Sequence, residues 1–346
     1  LELAGSRQSS RAMRVEVARI CTGLSTRRPD LKPLGGTSLV GPWQPDWIRA
    51  AGPYLRTPSR VYRNVARSAE TRLEPLFEDL RAQLAAARSR LGTGRSFSVE
   101  IVDARAVQAG PLQVRGVVKN AVLGGLRGRV DPARPEVRWS VRRKDQATVL
   151  SMDLLGPLSH RGYRRPGAAA PLREHLAAQL VALAGWHPDR EPLVDPMCGT
   201  GTLLLEAWGW ARGMAARAPG GPALFPDVDP VLVGMEADPE TLREAKATLR
   251  KAGARGADLR AGPADQVHLP PGPGLVLTNP PYGERLPRND AWQALRRLRA
   301  RAGDWRFGVL GPRPEVVRCL GDRPNLDKPL PNGPLDTHFF VYAPGR

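Results

Sequence analysis

Several things are scarce in this sequence, and each shortage narrows what the protein can be. Only three cysteines occur among 346 residues, Cys21, Cys198 and Cys319. They lie far apart with no ligand or disulfide spacing, so they read as reduced thiols and no metal is expected. The five histidines are as scattered. No apolar run approaches the ~20 residues of a membrane-spanning helix, which sets membrane proteins aside. The first residues carry no secretory-type apolar stretch, so a cytoplasmic location is expected. Lysine is scarce too, at six of 52 basic residues.

What is abundant is arginine, and it is unevenly placed. The chain carries a net charge of +18. Thirty basic and 14 acidic residues fall in 1–165, a net of +16, which leaves only +2 for 166–346. A genomic bias toward arginine would act on both halves alike. The split instead predicts a basic module that grips a polyanion, joined to a nearly neutral module with another task.

Hydrophobic patterning supports that division. Residues 1–60 are rich in Gly, Pro and Arg; "RVEVARICTGL" suggests a strand and "QPDWIRAAGPYL" a short helix. Apolar residues at Leu73, Leu76, Phe77, Leu80, Leu84 and Leu91 predict an amphipathic helix. "SFSVEIVDA" alternates as a strand, and "PLQVRGVVKNAVLGGL" opens a helix on Pro111 with Arg115 and Lys119 one turn apart. "EVRWSVRR" and "ATVLSMDLL" predict a hairpin with Val137, Trp139 and Val141 on one face. This describes a small α+β domain ending near residue 156. A basic connector, 157–171, leads into a helix with an apolar stripe of Leu172, Leu176, Leu180 and Leu183. From there, short apolar runs alternate with helical patterns, the rhythm of a doubly wound parallel sheet. Asp238-Pro239 predicts the start of one crossover helix and Gly253 its end.

The motifs carry the chemistry. "LVDPMCGTGTLLLEA" is an apolar strand, an acidic residue, a glycine loop and a helix. Gly199 and Gly201 let backbone pass close beneath a ligand at the carboxyl end of the strand. A dinucleotide pyrophosphate would be repelled by Asp195, whereas a ligand bearing an ammonium group, such as the methionyl part of S-adenosylmethionine, suits it. "VLVGMEAD" ends in Glu236, a candidate acceptor for ribose hydroxyls, and Asp238, better explained as a helix cap. In the third-strand loop Asp265 is either an acceptor for adenine or a solvated residue. "LTNPPYGERL" then ends a fourth strand with two prolines, which no strand continues through. Its plain meaning is a strand terminator with Tyr282 as packing. Its sharper meaning is a rigid turn presenting the Asn279 amide oxygen, a backbone carbonyl at Pro280 and the Tyr282 ring to one planar amine.

Taken in order, Asp-x-x-x-Gly-x-Gly, an acidic second-strand end and Asn-Pro-Pro-Tyr resemble the class I S-adenosylmethionine methyltransferases that modify exocyclic amino groups of nucleobases. "SHRGYRRPGAAAPLREHLAAQLVALAGW", "TNPPYGERL" and "NGPLDTHFFVY" narrow the resemblance to the bacterial THUMP-domain guanine-N2 methyltransferases. It is strong over 155–346 and weaker over 55–155.

The resemblance implies a Rossmann-like class I domain with a mixed seven-stranded sheet over 172–346. Before it would lie an α+β region: a divergent ferredoxin-like part in 1–60 and a THUMP-containing, RNA-binding part in 61–156. It implies S-adenosylmethionine as cofactor, held by Asp195, Pro196, Gly199, Thr200, Gly201, Thr202, Glu236, Asp265 and Asn279. The base clamp would be Asn279, Pro280, Pro281 and Tyr282. RNA, from 23S ribosomal RNA or tRNA, would meet Arg115, Lys119 and Arg127. Arg161, Arg164 and Arg165 would touch RNA or brace the domain junction. Pro263 stands where relatives commonly place an acidic residue. DNA adenine-N6 and protein-glutamine methyltransferases share the tetrapeptide, and the basic first half favours RNA over both. A binding or assembly protein with a decayed site is the alternative of a different class.

Overall fold

The computed structural model describes residues 1–5, 9–159, 161–163, 172–217, 221–282, 290–333 and 335–345. These form two compact units. One gathers Leu1–Ala4, Val40–Trp43 and Arg60–Gly156; the other gathers Gly5–Leu39, Gln44–Ser59 and Pro157–Arg346.

In the first unit, six strands lie hydrogen-bonded in the order Glu2–Ala4, Arg60–Ser68, Ala147–Asp153, Val137–Lys144, Ser96–Ile101, Arg129–Val130. Helices Leu73–Ala86 and Pro111–Leu126 cover the sheet. Leu76, Leu80 and Leu84 of the first helix and Val114, Val118 and Val122 of the second close on Phe97 and Trp139. The apolar stripes expected from 3.6-residue spacing are thus the faces that are buried. The predicted hairpin forms, and its two-residue turn puts Asp145 and Gln146 at φ 48° and 62°, the left-handed pair that matches strand twist. Its polar face is not simply solvated: Arg142 lies 3.8 Å over the Tyr62 ring and pairs with Glu2.

The second unit is built on a seven-stranded sheet. Its strands are β1 (Leu193–Asp195), β2 (Leu232–Glu236), β3 (Asp258–Ala261), β4 (Leu275–Thr278), β5 (Arg306–Gly311), β6 (Leu326–Pro329) and β7 (His338–Tyr342). They lie in the order β3-β2-β1-β4-β5-β7-β6. All pairs from β3 to β5 are parallel, and β7 runs antiparallel to both neighbours. The sheet is therefore mixed. Side chains alternate between its faces: Leu193, Leu275 and Leu277 enter one apolar core, while Val194, Val276 and Phe307 enter the other. Burial on both faces is why these strands read as unbroken apolar runs.

Helices α1 (Glu174–Ala184), α2 (Thr202–Arg212), α3 (Pro239–Ala252), α4 (Asp290–Arg301) and α5 (Arg313–Leu320) flank the sheet. The signals at the ends of α3 work as read: Asp238 accepts from the Thr241 N–H at 2.8 Å and Gly253 takes φ +90°. In α1 every residue is buried, including Glu174, His175 and Gln179, so its leucines are one side of an all-round interior helix.

Residues 14–24, expected as a strand, are instead the body and end of a helix, Ser9–Gly23. Val15 and Val17 suggest alternation, but the buried set is Ser9, Ala12, Met13, Glu16, Val17, Ile20 and Cys21, a 3.6-residue spacing. Glu16 of this helix accepts from the Thr57 N–H at 3.0 Å and the Thr57 hydroxyl at 2.6 Å, and the Thr57 carbonyl accepts from Gln179 at 2.7 Å. The chain leaves the unit after Ser59 and re-enters it at Pro157, where the Leu158 N–H donates to the Ser59 carbonyl at 2.9 Å. No helix among the described residues is long and apolar enough to cross a membrane.

Candidate active site

The site lies where three parallel strands end side by side. In register, Gly234 of β2 faces Asp195 of β1, so Glu236 projects two residues beyond it. On the other flank Val276 of β4 faces Val194, which carries Asn279 two residues past the level of Asp195. With strands about 4.8 Å apart, Glu236, the glycine loop and the diproline turn share one edge of the sheet. Ligands settle at such a carboxyl edge in open α/β sheets.

The loop after β1 is held from both sides. The Gly199 N–H donates to Glu236 Oε2 at 2.9 Å, and the Cys198 N–H to the Met235 carbonyl at 2.9 Å. Glu236 Oε1 also accepts from the Asp238 N–H at 3.0 Å. Gly199 and Gly201 are required for different reasons. Gly199 takes φ +53° with open space where a Cβ would stand. Gly201 takes φ +80°, and a Cβ there would sit 2.6 Å from Leu249 Cδ1. The first leaves room beside the loop; the second seats α2 against α3. Pro196 and Thr202 are buried, and Thr200 is half-buried.

Asp195 is the electrostatic anomaly. Its carboxyl is buried, accepts from the Met197 N–H at 3.2 Å, and has no ion-pair partner among the described residues. Burial raises its pKa to about 7, with the negative charge of Glu236 adding to the rise. A buried carboxylate lacking a cation is a site that gains from one. That property fits the ammonium of an amino-acid moiety.

The diproline turn is wired internally. Pro280 is buried, and Asn279, Pro281 and Tyr282 are half-buried. The Tyr282 hydroxyl donates to Asn279 Oδ1 at 3.0 Å and accepts from Asn332 Nδ2 at 2.8 Å. Asn332 was missed in the sequence. An Asn before Gly reads as a turn former, and nothing local reveals that its side chain reaches residue 282.

Asp265 is half-buried and takes Arg297, whose Nε donates to its Oδ2 at 2.6 Å. One expected contact changes. Arg161 is not available to RNA. It is 4% exposed and pairs with Glu206, which also takes Arg56 at 2.9 Å and the Tyr163 hydroxyl at 2.7 Å. Burial disfavours the Glu206 charge, but Arg161 and Arg56 outweigh it and hold its pKa below the ordinary range. A cation in a basic-looking connector is thus consumed by a buried acid. Arg164 and Arg165 lie outside the described residues. Arg115 and Lys119 are exposed on their helix, and Arg127 is exposed just after it at φ +53°.

Residues 161–305 match the family model UPF0020: RMKL-like, methyltransferase domain. The chain is 35% identical over 273 residues to "Ribosomal RNA large subunit methyltransferase K/L" from Syntrophotalea carbinolica, covering 65% of this chain and 38% of that protein. The chain therefore spans under two-fifths of that relative's length. Among solved structures, a predicted N6-adenine-specific DNA methylase from Listeria monocytogenes superposes with a TM-score of 0.79 at 23% identity, covering 99% of this chain and 96% of that one. TrmN from Thermus thermophilus superposes at 0.70 with 20% identity, covering 99% of each. At those identities the likeness is one of fold, and it does not choose between nucleic acids.

Proposed function

From the match of residues 161–305 to an RMKL-like methyltransferase domain, we propose that the chain is an S-adenosylmethionine-dependent RNA methyltransferase acting on the exocyclic N2 of a guanosine in 23S ribosomal RNA. The observation that carries this is the placement on one edge of the sheet of Asp195, without a cation among the described residues, the Gly199–Glu236 loop and the Asn279–Tyr282 turn.

S-adenosylmethionine, when bound, supplies a methyl group on a positively charged sulfur. Asp195 would hold the ammonium of its methionyl part and Glu236 its ribose, with the open space at Gly199 giving room beside the loop. The other residues act on the acceptor. An aromatic amino nitrogen is a poor nucleophile, because its lone pair is shared with the ring. Asn279 Oδ1 and the Pro280 carbonyl accept its N–H bonds, fix its direction and favour the positive charge that grows on it. The Tyr282 ring stacks on the base, which must leave its helix to enter. The amine so held would take that methyl group and give up its own proton to water. No dedicated general base is required. The basic first half, with Arg115, Lys119 and Arg127 exposed in the first unit, supports RNA as the polyanion.

Labelled methyl transfer to 23S ribosomal RNA, tRNA and duplex DNA, followed by nucleoside mass spectrometry, tests this. The expected product is N2-methylguanosine from ribosomal RNA. Label in tRNA alone would move the substrate, and label on adenine or DNA would overturn the assignment. Absence of both transfer and cofactor binding by calorimetry would make the chain a binding protein instead.

A further inference from the structure

The turn that closes β4 is bonded to a side chain far along the chain, Asn332. We propose that Asn332 is a positioning residue for methyl transfer, acting through the Tyr282 hydroxyl to decide which end of the Asn279 amide faces the reaction. This rests on the role given above to Asn279.

A tyrosine hydroxyl has one proton to give. In the structure it goes to Asn279 Oδ1 at 3.0 Å, which leaves the phenolic oxygen to accept from Asn332 Nδ2 at 2.8 Å. Where the hydroxyl proton goes to one of the two amides, the directions along the row are coupled. Either Asn332 donates, Tyr282 passes its proton on and Asn279 presents oxygen; or every direction reverses and Asn279 turns its NH₂ to the tyrosine. The second arrangement places a donor where the substrate amine needs an acceptor. An Asn332 amide that donates to Tyr282 therefore favours oxygen at Asn279, two links away.

The backbone that carries Asn332 is well held. It sits at the tip of the hairpin joining β6 to β7, where Asn332 and Leu335 exchange backbone hydrogen bonds at 3.2 and 3.3 Å. One step down, the Leu330 N–H donates to the Thr337 carbonyl at 2.8 Å, and the Thr337 hydroxyl donates to the Leu330 carbonyl at 2.7 Å. Leu330 and Thr337 are both fully buried. A rigid ladder thus delivers the amide to Tyr282 from the antiparallel end of the sheet, far along the chain from either partner.

The decisive variant is Asn332→Asp, whose side chain offers only acceptors when ionised. Tyr282 must then give its proton to the carboxylate that the substitution introduces, and the Asn279 amide must turn. Single-turnover methyl transfer is expected to fall about 100-fold, the scale for a misdirected preorganised polar contact, while KM for RNA and the calorimetric affinity for S-adenosylhomocysteine stay near wild type. Asn332→Ala, which removes the donor without reversing it, is expected to lose about tenfold and serves if the aspartate variant does not fold. In a Tyr282→Phe background neither substitution should cost anything more, because the link is gone.

A wild-type rate in Asn332→Asp, or the same loss persisting in Tyr282→Phe, overturns the proposal. If the wild-type protein binds cofactor but methylates no RNA, the role of Asn279 fails instead. The polarity claim is then decided by the Asn279 side-chain amide resonance in NMR: a shift in Asn332→Asp sustains it, and an unmoved resonance overturns it.

Discussion

Asp195 links cofactor binding to pH in a direction that can be worked out beforehand. With its pKa raised by burial to about 7, the ligand-free protein holds Asp195 protonated below neutrality. An ammonium beside it favours the ionised form, so binding expels a proton. Affinity for S-adenosylhomocysteine, which keeps the amino-acid moiety, should then weaken about tenfold per pH unit below 7, or roughly 100-fold by pH 5. Calorimetry in two buffers of different ionisation enthalpy should show close to one proton released at pH 6 and nearly none at pH 8. Asp195→Asn should bind weakly and without this pH dependence. The stability sign follows from the same shift. A carboxyl whose folded pKa lies above its ordinary 3.8 stabilises the ligand-free fold at low pH, and that contribution is lost as pH rises towards about 7. Cofactor should therefore raise the melting temperature more at pH 8 than at pH 5.5. A flat affinity profile with no buffer dependence would show that Asp195 meets no ammonium.

Other expectations follow from the same structure. Asn279→Ala should leave cofactor affinity near normal and lower methyl transfer at least ~100-fold; an unchanged turnover would refute the clamp. Gly201→Ala, at φ +80° and 2.6 Å from Leu249, should cost about 1–3 kcal/mol in denaturant unfolding. Gly199→Ala, with open space at its Cβ, should cost only about 1 kcal/mol but weaken cofactor binding, and the reverse ranking would contradict the assignment of the loop. Arg161→Met should cost about 3–5 kcal/mol and leave the salt dependence of RNA binding alone. The Arg115→Gln, Lys119→Gln pair should do the opposite, lowering the log–log salt slope by about 1–2 with no change in melting.

The sheet and its edge were legible because each rests on short-range pattern. The runs ending in Asp195, Glu236 and Asn279 are apolar on both faces, so they announce parallel strands, and the residue that breaks each run lies at the carboxyl edge of the sheet. Asp238 and Gly253 act within a single turn and can be read locally. What was misread depends on distant partners. Arg161 looked like a cation for RNA because Glu206, 45 residues on, gives no sign of lying fully buried against it. The Arg297 partner of Asp265 was hidden in the same way, because it comes from a later helix. Asn332 had no visible role, since a turn asparagine and an asparagine aimed at a tyrosine 50 residues earlier are written alike. Residues 14–24 fell to two valines whose alternation was coincidental.

The hydrogen bond from Leu158 to Ser59 bears on how such a protein is cut apart. Residues 60–156 depart from and return to adjacent points of the second unit, while the first unit also draws on Leu1–Ala4 and Val40–Trp43. Trimming from the amino end would strip away the helix bearing Glu16 and the stretch of chain bearing Arg56 and Thr57. Glu206 would be left in the interior without Arg56 and Gln179 without Thr57, while excising residues 60–156 would keep both partners.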